Sequence, residues 1–67
     1  LMNVIVNGEA KAVPANETLA DLIARHTNAH SGVAVAVNGE VVPRTAWPQH
    51  ELAEGAQVEI LTAVQGG

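Results

Sequence analysis

The chain has no cysteine, no tyrosine and no phenylalanine. Without cysteine there is no disulfide framework, no thiol nucleophile and no cysteine-based zinc site. Trp47 is the only aromatic residue, so a hydrophobic core has to be assembled from Val, Leu, Ile and Ala. Cations are scarce as well: three Lys and Arg stand against seven Asp and Glu, for a net charge of −4. Nucleic-acid binding relies on cations that neutralise phosphates, so this balance argues against it, and against an anionic membrane surface for the same reason. No apolar run approaches the ~20 residues of a membrane span, and no signal-peptide pattern is visible. A cytoplasmic location is the simplest expectation. At 67 residues the chain supports one domain, which buries only about 60% of its unfolded surface and has no room for an enclosed substrate cavity. Leu1 ahead of Met2 reads as an added residue, with Met2 as the native start.

What is present is alternation. Met2, Val4 and Val6 alternate with Asn3, Ile5 and Asn7, which predicts a strand. Asn7-Gly8 is a strong hairpin signal, because a type I′ turn needs positive φ at both central residues. A second strand over about Glu9 to Val13 returns antiparallel and stops at Pro14. Thr18 lies three residues before Asp21, a capping-box arrangement with Asp in place of the usual Glu. The helix it opens carries Leu19, Leu22, Ile23 and His26 on one amphipathic stripe, and Asn28 to Gly32 ends it. Val33, Val35 and Val37 then alternate with Ala34, Ala36 and Asn38 in a third strand. Asn38-Gly39 repeats the hairpin signal, and Glu40 to Val42 forms a short partner strand before Pro43. Arg44 to Leu52 reads as irregular, with one short helical turn around Trp47 limited by Pro48. After a turn at Glu54-Gly55, a last strand places Val58, Ile60, Thr62 and Val64 on one face and Glu59, Leu61 and Ala63 on the other.

The order strand, strand, helix, strand, short strand, strand predicts an α+β domain with one helix crossing a small mixed sheet. A ferredoxin-like arrangement needs two helices, and only one is supplied. The order resembles the β-grasp, or ubiquitin-like, fold, in which the first and last strands pair in parallel at the sheet centre. A single β-grasp domain over residues 1–64 and a flexible tail over 65–67 are expected.

The sheet face turned away from the helix is the first candidate site. With Met2, Val4, Val6, Val33, Val35, Val37, Val58 and Ile60 turned inward, Ile5, Ala34, Ala36, Leu61 and Ala63 face solvent together with Glu59. Ile5 and Leu61 are expected as close neighbours, an apolar docking patch beside the chain end. Scattered exposed apolar residues are the plainer alternative. The second candidate is the tail itself. Val64, Gln65, Gly66 and Gly67 form a thin stalk that reaches about 13 Å when extended, and glycine fits a channel only as wide as a backbone. A frayed end is the bland alternative. The histidines make a weak metal set: His26 and His30 share a helix face only if the helix passes Asn28, and His50 lies in the irregular segment. His26 is expected to edge the core. The carboxylates are spread over turns and the helix start, where Glu17 and Asp21 suit the helix dipole. Trp47 is expected to plug the underside of the core, and Arg44 to meet an acid or a partner.

Ala36-Val37-Asn38-Gly39-Glu40-Val41-Val42-Pro43-Arg44-Thr45-Ala46-Trp47, then Leu52-Ala53-Glu54-Gly55, Val58-Glu59-Ile60 and Gly66-Gly67, resemble the sulfur-carrier family of thiamine biosynthesis. The likeness covers nearly the whole chain, including Asn16 to Ile23 at the helix start. Its Val-Pro-Arg-x-x-Trp piece is informative in combination with the Gly-Gly end. One departure is Ala56, where the family commonly has Asp after Gly; it reads as a changed turn residue.

The resemblance implies a carrier rather than an enzyme, with no cofactor and no metal bound by this chain. A partner adenylyltransferase related to ubiquitin-activating proteins would use ATP and magnesium to adenylate the carboxylate of Gly67. A persulfide sulfur donor would then displace AMP to leave a thiocarboxylate, and thiazole synthase would take the sulfur. Gly66, Gln65 and Val64 would follow Gly67 into the partner active sites. Ile5, Ala34, Ala36, Glu59, Leu61 and Ala63 would form the partner interface. A small subunit of molybdopterin synthase, a ubiquitin-like modifier and a plain interaction module are the rival expectations. Against the modifier, Lys11 is the only lysine available for chain building.

Overall fold

A computed structural model describes residues 1–29 and 31–63. The readings made on His30 and on Val64, Gln65, Gly66 and Gly67 lie outside the described residues.

Alternation and turn chemistry build the sheet as the sequence predicts. β1 (Met2–Val6) and β2 (Glu9–Val13) form an antiparallel hairpin in which Val6 faces Glu9 and Met2 faces Val13. Asn7 and Gly8 between them take φ of 49° and 84°, the doubly positive pair of a type I′ turn. β3 (Val33–Val37) and β4 (Glu40–Val41) repeat the device, with φ of 51° at Asn38 and 85° at Gly39. β5 (Gln57–Thr62) lies between the hairpins, parallel to β1 and antiparallel to β3, for a strand order β2-β1-β5-β3-β4. This is the β-grasp arrangement.

α1 (Leu19–His26) crosses one face of the sheet. Thr18 Oγ1 accepts the Asp21 amide at 3.2 Å and Asp21 Oδ2 accepts the Thr18 amide at 3.1 Å, so the capping box is complete with Asp in the acidic position. The Thr18 backbone N–H, and after it the Thr18 hydroxyl, stabilise the Asp21 carboxylate and lower its pKa from the ordinary value. The helix stops where Thr27 turns extended, its N–H donating to Ile23 O at 3.0 Å. Leu19, Leu22 and Ile23 pack under the sheet against Val4, Val6, Val35, Val58 and Ile60.

Four details depart from the sequence reading. The segment after β4 is a full 3-10 helix over Arg44–Gln49 with Pro48 inside it, not a single turn. Its flanking bonds, Ala46 N–H to Pro43 O and His50 N–H to Trp47 O, do not need the N–H that proline lacks. Trp47 is buried as expected, and its Nε1 donates to Val42 O at 2.9 Å. His26 is exposed rather than at the core edge. Ala56 is a buried core residue, not a turn residue.

The fourth difference is Glu17, read from the sequence as an acid suited to the helix dipole, which is only 3% exposed. Its Oε1 lies 3.2 Å from Arg25 Nη2, and its Oε2 has no hydrogen-bond partner among the described residues. The backbone explains the position. Glu17 N–H donates to Pro14 O and Glu17 O accepts Leu52 N–H, while Leu19 N–H donates to His50 O. The strand-to-helix connection is thereby sewn to residues 50–52, and the Glu17 side chain is carried inward. A buried carboxylate is tolerated only when paired, and Arg25, two turns along α1, supplies the charge.

Two outcomes follow from this packing. Leu19 is fully buried, so Leu19→Ala is expected to cost about 3 kcal/mol, a large share of the stability of so small a domain; urea unfolding measures it. Asp21 has a folded pKa lowered from 3.8, so its contribution is complete above the unfolded value and lost as pH falls through the folded one. Thermal midpoints of the parent and Asp21→Asn are therefore expected to differ at pH 6 and to converge as the pH is lowered below 3.8.

Candidate functional site

The outward face of the sheet is set by register. Ala34 of β3 lies opposite Leu61 of β5, Ala36 opposite Glu59, and Val41 of β4 opposite Ala36. Residues opposite one another share a face, so Val41, Ala36, Ala34, Leu61 and Glu59 form one continuous patch. Leu61 is 69% exposed and Val41 79%, which makes them, among the described residues, the most exposed large apolar side chains after Leu1. Between them lies a shallow depression of about 110 Å³ lined by Ala34, Val35, Ala36, Val41, Glu59 and Leu61. Ala63, just past β5, is exposed at the upper end of the same strand.

Ile5 does not belong to this patch. It pairs with Gln57 across the parallel β1–β5 ladder, so Leu61 is four residues, or about 13 Å, further along β5. Ile5 is also half-buried. Its outward phase is as expected; its register is what separates it from Leu61. Val41 takes the place assigned to Ile5. The alternation Glu40-Val41-Val42 carried a signal for it, since Val42 is drawn into the core and Val41 must then point out. The inward face of β5 is shorter than its strand pattern implies: Thr62 shares phase with Val58 and Ile60 yet is exposed, because β5 runs on past the core.

β5 brings this patch to the root of the tail. Ala63 N–H donates to Gly32 O at 2.7 Å, the last described backbone bond before Val64. Val64, Gln65, Gly66 and Gly67 continue from there, beyond the described residues. On the helix side of the sheet, Arg44 places its guanidinium 5.4 Å from the centre of the Trp47 ring at the mouth of a depression of about 470 Å³. That stacking, with the Trp47 bond to Val42 O, accounts for both residues in structural terms. Among the described residues no cluster of three or more His, Cys, Asp or Glu side chains is disposed to hold a metal ion. No helix among them is long and apolar enough to cross a membrane.

Known proteins share this chain's pattern from end to end. A model of the ThiS family matches residues 4–67. The chain is similar to the sulfur carrier protein ThiS of Escherichia coli (strain K12), with 30% identity over 66 residues that span 98% of this chain and 100% of that protein. Among solved structures it is similar to the crystal structure of the thiamine biosynthesis protein ThiS from Geobacter metallireducens, with 32% identity and a TM-score of 0.80 over 98% of this chain and 100% of that one. A solution structure of a thiamine biosynthesis protein from the same organism gives 33% identity and a TM-score of 0.78, covering 98% of this chain and 88% of that chain.

Side chains as exposed as Leu61 and Val41 are among the described residues should be replaceable at little cost to the fold. Leu61→Asp and Val41→Asp are each expected to leave the thermal midpoint within about 3 °C of the parent, as exposed substitutions shift stability by only ~0.5 kcal/mol. Calorimetry at neutral pH checks this.

Proposed function

The chain belongs to the ThiS family, sulfur carriers of thiamine biosynthesis, and from that premise we propose that it carries sulfur as a thiocarboxylate on Gly67 for thiazole formation. The observation that supports this reading best is the family match running through Gly67, on a fold whose central strand leads into the Gly-Gly tail. The chain is a cosubstrate in this reading, and the chemistry belongs to its partners.

A carboxylate resists nucleophilic attack because its two oxygens share the negative charge and neither leaves readily. An adenylyltransferase with bound ATP and magnesium removes that obstacle: a Gly67 oxygen attacks the α-phosphorus, pyrophosphate leaves, and the carbonyl becomes an acyl-adenylate with AMP as leaving group. The terminal sulfur of a persulfide donor then forms a C–S bond as AMP departs, giving an acyl disulfide. A thiol cleaves the S–S bond, leaves as the mixed disulfide and frees the thiocarboxylate. Its sulfur is the nucleophile delivered to thiazole synthase. The dependence on ATP suits the cytoplasm.

This chain contributes three things to the cycle. Gly66 and Gly67 supply a stalk with no side chains, and glycine alone fits a passage that narrow. Gln65 and Val64 extend it. The patch of Leu61, Val41, Ala34, Ala36 and Glu59, with Ala63 at its upper end, is the docking surface that aligns the stalk with each partner active site. An apolar patch next to a projecting terminus serves this purpose because non-directional burial can be made and released with successive partners.

Intact-protein mass spectrometry after incubation with the adenylyltransferase, ATP, magnesium and a cysteine-derived persulfide is expected to give a mass gain equal to exchange of one oxygen for sulfur, localised to Gly67. No gain, with the enzyme active on another carrier, overturns the reading. Leu61→Asp is expected to weaken binding to the adenylyltransferase on the order of ten-fold, measured by calorimetric titration; unchanged affinity removes the patch from the docking surface.

A further inference from the structure

β1 leaves the sheet before β5 does. Ile5 N–H donates to Ala56 O at 2.8 Å and Asn7 N–H to Val58 O at 2.9 Å, and the chain then turns away at Asn7-Gly8. The next β5 groups on that flank are the N–H and C=O of Ile60. The Asn7 carboxamide meets both: Ile60 N–H donates to Asn7 Oδ1 at 2.8 Å, and Asn7 Nδ2 donates to Ile60 O at 3.2 Å. A primary amide carries the donor and acceptor of a peptide unit. Asn7 therefore adds one rung to the parallel ladder without adding a residue to the strand. On the other flank β3 runs further, pairing Val33 with Thr62 and accepting Ala63 N–H at Gly32 O. Around Ile60, β5 is held by a full strand on one side and by a single side chain on the other.

We propose that Asn7 is a positioning residue for the C-terminal tail: its carboxamide holds the β1 flank of β5 as far as Ile60, and so sets the direction in which Gly67 is presented. The proposal rests on the sulfur-carrier reading. A four-residue segment, whose reach is about 13 Å when fully extended, would convert a small tilt at its root into a displacement of ångströms at its tip. A misplacement of about 1 Å at the reacting atoms can cost on the order of 100-fold in rate. With the Ile60 rung removed, β5 is restrained from one side only and its end opens more often.

The fold contains its own control. Asn38 occupies the same place in the other Asn-Gly turn, with φ of 51°, and its Oδ1 accepts Gln57 N–H at 3.0 Å. Turn, side chain and target strand are the same in kind; the carboxamide bonds number two at Asn7 and one at Asn38, and they hold opposite ends of β5. Asn38 holds the beginning of the strand, far from the tail.

Asn7→Gly and Asn38→Gly each keep a residue at ease with positive φ and delete the carboxamide. Hydrogen exchange in the full chain is read at Ala63 N–H, whose acceptor, Gly32 O, neither substitution touches. Asn7→Gly is expected to speed that exchange on the order of ten-fold relative to the core amide of Val4, and Asn38→Gly to leave the ratio within about two-fold of the parent. In sulfur loading by the adenylyltransferase, Asn7→Gly is expected to lower kcat with KM nearly unchanged, and Asn38→Gly to alter neither. Should Asn7→Gly fold poorly, Asn7→Asp serves: it keeps the acceptor for Ile60 N–H, loses the donor to Ile60 O, and is expected to give the same selectivity at smaller size. If Ala63 exchange rises only in step with Val4, or if both glycine variants behave alike, the proposal is overturned. A parent chain that takes up no sulfur overturns the carrier reading instead and leaves the exchange ratios unaffected.

Discussion

The parallel contact between β1 and β5 joins the first strand of the chain to the last, and every other element is arranged around it. Its register is short, Ile5 with Gln57 and Val6 with Val58, yet it brings together Val4, Val6 and Val58, which are among the most deeply buried of the described residues. Parallel neighbours cannot be joined by a tight turn. The intervening residues must leave the sheet and come back, and they return as α1, which covers one face, and as the β3–β4 hairpin, which closes the far flank of β5. The helix side of the sheet thereby becomes the core. Among the described residues no element covers the opposite side, and Leu61 and Val41 are exposed there. The exposed patch follows from a topology that places α1 on one face of the sheet.

Much of this was legible in the sequence because the signals were local and mutually consistent. Period-two alternation set the phase of β1, β3 and β5, and both Asn-Gly pairs adopt the doubly positive φ that their chemistry favours. Thr18 and Asp21 close the capping box although Asp is shorter than the usual Glu. The exposed residues of the candidate docking face, Ala34, Leu61 and Glu59, follow from the same alternation.

What escaped the sequence reading depends on register or on contacts between distant segments. Alternation states which face Ile5 occupies and is silent about its position along the neighbouring strand, which is why Leu61 was placed beside it and lies four residues away. Glu17 is a polar residue next to a helix start, where exposure is the ordinary outcome. Its burial is imposed by backbone bonds to Pro14 and Leu52, and Arg25, eight residues on, is too far to be paired with it by the usual helical spacing. The side-chain bonds from Asn7 to Ile60 span 53 residues, and nothing local to an Asn-Gly turn announces them.

The two turns also bear on how the protein ages. In an Asn-Gly dipeptide the glycine nitrogen has no side chain to shield it and can attack the carboxamide carbon, expelling ammonia and closing a succinimide that hydrolyses to aspartate or isoaspartate. Ring closure needs a backbone and side-chain geometry that a well-anchored turn does not adopt. Asn7 is anchored at both ends of its carboxamide and Asn38 at one, so the two sites wear at different rates, with Asn38 the faster. Conversion of Asn38 to aspartate keeps the acceptor for Gln57 N–H, whereas the same change at Asn7 replaces a donor with an anion facing the Ile60 carbonyl. The bonds that shape the sheet thus also act as a preservative, and the better protected turn is the one nearer the working end of the molecule.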